Sequence, residues 1–167
     1  MAVIIAAKIF NLDSEKILKA LKSFKGVEHR LELVREIEGI KFINDSKATN
    51  VDSVVVALKS FEEPIFLILG GQDKGNDYSM IEDLVIEKVK KIYAIGSSAE
   101  KVFNYFHSKV KTEIKKDFDD VINTALSEAR EGDVVLLSPA CASFDMFDNY
   151  EHRGKVFKSI INNKWKN

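Results

Sequence analysis

Ile65-Phe66-Leu67-Ile68-Leu69, followed at once by Gly70-Gly71, is the stretch on which the fold turns. Five apolar residues in a row leave no polar face, which suits a strand covered on both sides of a parallel sheet. Downstream, strand and helix patterns alternate. Ile81, Leu84, Val85 and Val89 repeat at helical spacing, Ile92 to Ile95 reads as a strand, and Ala99, Val102, Phe103 and Phe106 form a second helical stripe. Ile114 marks a short strand, and a third helix carries Phe118, Val121, Ile122, Ala125, Leu126 and Ala129. Val134 to Leu137 is the next strand, and a closing helix carries Tyr150, Phe157, Ile160 and Ile161. Upstream, Leu31, Leu33 and Ile37 alternate with charges, Glu38-Gly39 turns, and Ile40 to Ile43 returns to make a β-hairpin. A helix with Val51, Val54, Val55 and Leu58 joins that hairpin to the apolar run. The pattern predicts an α/β fold: a doubly wound, mostly parallel sheet with an N-terminal hairpin and helices on both faces.

The residues before the hairpin follow other rules. Ala2-Val3-Ile4-Ile5-Ala6-Ala7-Lys8-Ile9-Phe10 is apolar on nearly all sides, as a helix buried in something larger would be. Asp13 or Ser14 then caps an amphipathic helix with Ile17, Leu18 and Leu21 on one face, which Phe24-Lys25-Gly26 ends. Residues 1–28 therefore read as the tail of a preceding domain with a linker, or else as a self-contained helical hairpin. The chain of 167 residues is long enough for a proper core, and 46% apolar with 31% charged residues is the composition of a folded chain. A net charge of -1 offers no nucleic-acid footprint. The single Cys141 excludes an internal disulfide, and the three histidines show no ligand spacing, so no metal site is expected. No apolar run is long enough to span a bilayer, and the expected compartment is the cytoplasm.

In a parallel sheet the strands end along one edge, so the loops after Ile43, Leu69, Ile95 and Leu137 open on the same side. They read Asn44-Asp45-Ser46-Lys47-Ala48-Thr49-Asn50, Gly70-Gly71-Gln72-Asp73-Lys74-Gly75, Gly96-Ser97-Ser98 and Ser138-Pro139-Ala140-Cys141-Ala142-Ser143. In the first loop, capping by Ser46, Thr49 or Asn50 explains only part of the polar content. Lys47 sits where the helix dipole disfavours a cation unless an anion is nearby. Together with Lys74 and the hydroxyls it suits a small anion, carboxylate or phosphate. Gly96-Ser97-Ser98 reads as an ordinary turn with Ser97 or Ser98 capping the next helix, and Cys141 as a small buried thiol. Neither G-x-G-x-x-G nor G-x-x-x-x-G-K-[ST] occurs, so the main phosphate cradle for any ATP lies elsewhere. No residue stands out as a general base.

Four motifs carry a resemblance. His29-Arg30, Asn44 to Asn50, Gly70-Gly71-x-x-Lys74, and Leu137-Ser138-Pro139-Ala140-Cys141-Ala142-Ser143-x-Asp145-x-Phe147 resemble, in order and spacing, the C-terminal domain of the Mur ligase family in its D-glutamate-adding members. The resemblance runs from about residue 27 to the end. It implies a Rossmann-like amino-acid-binding domain over residues 29–167, with residues 1–28 left over from the family's central ATPase domain. It implies an ATP-dependent ligase joining D-glutamate to UDP-N-acetylmuramoyl-L-alanine in peptidoglycan precursor synthesis. In that family an acyl phosphate is attacked by the amino group of D-glutamate, and the P-loop and Mg2+ belong to the central domain. The C-terminal domain presents D-glutamate and closes over ATP, so this chain by itself is expected to be inactive.

The same resemblance assigns residues. Lys47 matches the loop lysine near the substrate carboxylate and phosphate, a catalytic position. Thr49, Lys74 and Ser143 match positions around the D-glutamate carboxylates. Phe144 matches a position giving backbone amide contacts, and Tyr150 an aromatic over the glutamate chain. Arg30 and Asp45 match the ATP ribose and base side. The Gln72-Asp73 pair before Lys74 leaves that lysine's reach open. The alternatives are a Mur-family or folylpolyglutamate ligase domain for another amino acid, and a non-catalytic small-anion-binding module.

Overall fold

In the computed structural model, which describes residues 2–24 and 26–165, six strands form one sheet in the order β1-β2-β6-β3-β4-β5. The hairpin comprises β1 (Glu32–Ile37) and β2 (Ile40–Asn44), antiparallel; β2, β6 (Val134–Leu137), β3 (Ile65–Gly70), β4 (Val89–Ile95) and β5 (Thr112–Ile114) are parallel. Every residue of β3 is buried, and its side chains divide by alternation. Ile65, Leu67 and Leu69 meet α3 (Val51–Leu58), α4 (Glu82–Lys88) and α5 (Ala99–Phe106) through Val54, Leu58, Val85, Val102 and Phe106. Phe66 and Ile68 lie in the opposite core with α6 (Phe118–Glu128) and α7 (Tyr150–Lys164), beside Val121, Ile122, Phe157 and Ile161. The run thus supplies both cores at once.

Three local readings differ from the structure. Val89, spaced as a helical residue, begins β4 instead, and Ile81 closes a 3-10 turn over Tyr78–Ile81 before α4 starts. Both are buried in the same core, so spacing alone does not tell the two conformations apart. In β1 the register slips between Leu33 and Arg35, which turns Leu33 to solvent and Val34 onto the second core. The hairpin turn does match: Glu38 and Gly39 both have positive φ, at 50° and 76°, as a two-residue type I′ turn requires.

Before the sheet, α1 (Ala2–Ile9) and α2 (Ser14–Ser23) form a short helical hairpin. Asp13 caps α2 by accepting from the Glu15 and Lys16 amides at 2.9 and 3.0 Å. Lys25, which the spacing puts at the end of this helix, lies outside the described residues. Val3, Ile5, Ile9, Phe10, Leu18 and Leu21 are exposed, and no residue of α2 is buried. Among the described residues, no helix is long and apolar enough to cross a membrane.

Candidate functional site

β6 lies between β2 and β3, whose following helices cover one face, while the helix after β6 covers the other. The chain therefore parts on both sides of the carboxyl end of β6, and a crevice opens there. The loops converge on it. The Asp45 amide donates to Leu137 O at 2.8 Å, and the Gly70 amide to Pro139 O at 2.9 Å. The Gln72 amide donates to Ala142 O at 2.9 Å in a short antiparallel bridge. Two glycines make this approach possible: a Cβ on Gly70 would stand 2.1 Å from Ile95 O, and one on Gly71 2.5 Å from Ala142 O. Ala140, fully buried, takes φ +59° in the same loop, a strained conformation held by its surroundings.

Gly96-Ser97-Ser98 departs from the expected helix cap. Ser98 occupies the cap position of α5, but its hydroxyl accepts the Gly71 amide at 3.1 Å. Ser97 Oγ donates to Gly71 O at 3.1 Å, and the Ser97 amide donates to Asp145 Oδ2 at 2.7 Å. These serines serve the neighbouring glycine loop because it passes directly over their turn. In the first loop Asn50 alone caps α3, accepting the Ser53 amide at 2.9 Å, which leaves Ser46 and Thr49 for other contacts. Cys141 is a buried thiol beside Asn76, Tyr78 and Ser98, and burial pushes its pKa up.

The expected site residues separate by burial. Lys74 and Phe144 are exposed, Lys47, Thr49 and Tyr150 half-buried, and Ser143 buried. Lys47 Nζ stands 5.6 Å from the centre of the Tyr150 ring, so these two belong to one patch. Ser143 O anchors the next turn by accepting from the Met146 and Phe147 amides. Arg30 is exposed beside two residues of positive φ, His29 at 64° and Leu31 at 45°. Asp45 faces inward: Oδ1 accepts the Leu31 amide at 3.2 Å and Oδ2 accepts the Ser138 hydroxyl at 2.9 Å. Burial raises its carboxyl pKa above the ordinary 3.8, against the pull of those two bonds.

A family model described as "Mur ligase, glutamate ligase domain" matches residues 29–141. The chain belongs to the Mur ligase family. It is 52% identical over 163 residues to the UDP-N-acetylmuramoylalanine--D-glutamate ligase of Cytophaga hutchinsonii, covering 96% of this chain and 36% of that relative. The ligase of the same name from Acidobacterium capsulatum is 47% identical over 161 residues, covering 96% and 35%. The chain thus spans about a third of the length of the relatives it matches. In fold it is similar to the UDP-N-acetylmuramate-alanine ligase MurC of Thermotoga maritima, with a TM-score of 0.70 at 17% identity, covering 98% of this chain and 36% of that one. A bifunctional folylpolyglutamate synthase/dihydrofolate synthase from Yersinia pestis, complexed with AMPPNP and a Mn ion, gives 0.61 at 18% identity, covering 90% and 35%.

Two features of this Mur-family domain lay outside the sequence reading. Arg153, 2% exposed, donates from Nε to Ser46 Oγ at 2.9 Å and from Nη2 to Ser46 O at 2.8 Å. Its Nη1 donates to Cys141 O at 3.0 Å and Ala142 O at 3.2 Å. One guanidinium thereby ties the Lys47 loop to the Ser143 loop, and burial lowers its pKa to about 10. Its signal was present: Arg153 shares the helical phase of Tyr150, Phe157 and Ile161, the inward stripe of α7. The second feature is a cluster around buried His29, where Glu28, His29 and Glu32 offer ligand atoms within 4.8 Å of one another. The Lys158 ammonium already holds both carboxylates, at 3.0 Å from Glu28 Oε1 and in contact with Glu32 Oε1. His29 packs so closely on Gly154 that a Cβ there would stand 2.2 Å from its Nδ1.

Proposed function

We propose that this chain is the amino-acid-binding part of an ATP-dependent ligase that adds D-glutamate to UDP-N-acetylmuramoyl-L-alanine in peptidoglycan precursor synthesis. The observation that carries the reading is a pair of lysines, Lys47 and Lys74, on loops bonded to one serine-bearing loop. Neither lysine is in an ion pair among the described residues. D-glutamate brings two carboxylates to be neutralised, and two free ammonium groups with the hydroxyls of Thr49 and Ser143 are a matching set. The relatives of that name, about half identical over nearly the whole chain, support D-glutamate as the amino acid.

In this reading Lys74, Thr49 and Ser143 bind the D-glutamate carboxylates. Tyr150 packs against the aliphatic chain of the amino acid, and Phe144 contributes backbone amides. Lys47 neutralises charge at the acceptor carboxylate, where the new amide bond forms as phosphate departs. ATP supplies the phosphoryl group that activates that carboxylate. Arg30, open to solvent, fits the nucleotide's ribose and base side. Asp45, whose carboxylate faces inward, acts on that side by holding the Leu31 amide next to Arg30. In this reading Mg2+ falls to the preceding domain, and the Glu28–His29–Glu32 cluster, whose carboxylates already hold an ammonium, takes no part in it. Residues 1–28 are read as the end of that ATPase domain, whose body covers the exposed apolar side chains of α1 and α2.

The test is Lys74→Ala in the ligase that contains this chain. Loss of one carboxylate partner is expected to raise the D-glutamate KM about 30-fold, with the ATP KM changed less than about threefold. Equal rises in both would remove Lys74 from the amino-acid site. A better response to L-glutamate than to D-glutamate would move the assignment to the folylpolyglutamate-type alternative.

A further inference from the structure

The loop that carries Lys74 is held on both sides of that residue. Gln72 is bridged to Ala142, as described above, and the Asn76 amide donates to Asp73 Oδ1 at 2.9 Å, closing a turn around Lys74 and Gly75. Asn76 Nδ2 reaches across to Ala140 O at 3.0 Å and Cys141 Sγ at 3.2 Å. From α5, Lys101 Nζ donates to Asp73 Oδ2 at 2.7 Å and to Asn76 O at 2.9 Å, and lies 5.4 Å from the centre of the Tyr78 ring. Lys74 remains exposed.

An exposed ion pair of this kind contributes little to stability. Its consequence is electrostatic and local. Asp73 and Lys74 are chain neighbours, so an unpaired Asp73 carboxylate would lie within reach of the Lys74 ammonium and compete with an incoming carboxylate. Lys101 engages that carboxylate from the other side and pins both ends of the turn. Burial pushes the Asp73 carboxyl up, but the Lys101 ammonium and the Asn76 amide outweigh it, and Asp73 stays ionised well into acid.

We propose that Lys101, acting through Asp73, is a positioning residue that keeps the Lys74 ammonium free and aimed into the crevice for a substrate carboxylate. This rests on reading Lys74 as a carboxylate-binding residue. The experiment measures D-glutamate and ATP kinetics of the ligase carrying Lys101→Met, Asp73→Asn, both together, and Lys74→Ala as reference. Lys101→Met is expected to raise the D-glutamate KM about tenfold, with kcat and the ATP KM nearly unchanged, the scale of coupling seen between groups in contact. Adding Asp73→Asn, which removes the competing charge but keeps an acceptor for the Asn76 amide, is expected to restore most of that loss. A merely structural role for Lys101 would not be rescued by a second substitution. An unchanged D-glutamate KM in Lys101→Met, or a double variant no better than the single one, overturns the proposal while leaving Lys74's role standing if Lys74→Ala still shows its effect. A Lys74→Ala enzyme with normal D-glutamate KM overturns both.

Discussion

Among the described residues two lysine or arginine cations are buried, and they are held in opposite ways. Arg153, beneath the crevice, has no carboxylate within ion-pair distance among the described residues; its hydrogen bonds go to the carbonyls of Ser46, Cys141 and Ala142 and to the Ser46 hydroxyl. Lys91, on β4 and 1% exposed, is paired with Glu113 at 2.6 Å and Glu128 at 2.7 Å. A guanidinium offers five donors in a fixed plane and can span two loops, whereas an ammonium is a point charge that two carboxylates satisfy. The difference separates a cation that shapes a site from one that closes a core. A carboxylate paired directly with Arg153 would cancel its charge beneath the Lys47 and Ser143 loops, where an anionic ligand needs a positive field; on the far flank Lys91 meets no such constraint.

Arg153→Met should break the comparison most severely. It leaves the Ser46 and Cys141 carbonyls without their side-chain donor, while Ala142 O keeps the Gln72 amide, and about 2–4 kcal/mol of stability is expected to go, the cost of two buried acceptors left unpaired. Ligase activity should fall in step, because the Lys47 and Ser143 loops lose their common anchor. Thermal melting paired with activity checks this; a variant that melts normally yet is inactive would make Arg153 a ligand contact instead. Lys91→Met is expected to cost less, about 1–2 kcal/mol, since both glutamates reach solvent and are not left fully desolvated. Its effect should appear in melting and leave the D-glutamate KM alone.

Much of the architecture was legible in the chain because it rests on local signals. The unbroken run Ile65 to Leu69, the Glu38-Gly39 turn and the polar corner loops each declare themselves within a few residues. The two buried cations were harder to read, since Arg and Lys on amphipathic elements resemble solvated surface. Both nevertheless sit in apolar phase: Arg153 with Phe157 and Ile161, Lys91 with Tyr93 and Ile95. The serines of Gly96-Ser97-Ser98 misled for a different reason. Their cap position is a local fact, while the partner they take, Gly71, arrives from another strand. Likewise, that Asp45 turns inward depends on Ser138, 93 residues away, which no short-range pattern reports.

Acid titration sharpens the contrast with the smallest effect. Bonding to Lys91 holds the Glu113 carboxyl below its ordinary 4.5; for Glu128, burial works the other way but the Lys91 ammonium outweighs it. A carboxylate whose folded pKa is lowered contributes stability above its unfolded value and loses it as pH falls through the folded one. The far flank should therefore weaken below about pH 4.5. Asp45 at the crevice has the opposite sign: its folded pKa is raised, so its contribution is greatest in acid and declines as pH climbs from 3.8 through the raised value. Melting temperature followed from pH 6 down to pH 3 should then fall less steeply in Lys91→Met than in the unaltered chain, by about 3 °C over the range. Asp45→Asn should make the fall steeper, because it removes the one of these three groups whose folded state gains from protonation. Parallel curves for all three proteins would mean that the two ends of the sheet do not differ in how they hold charge.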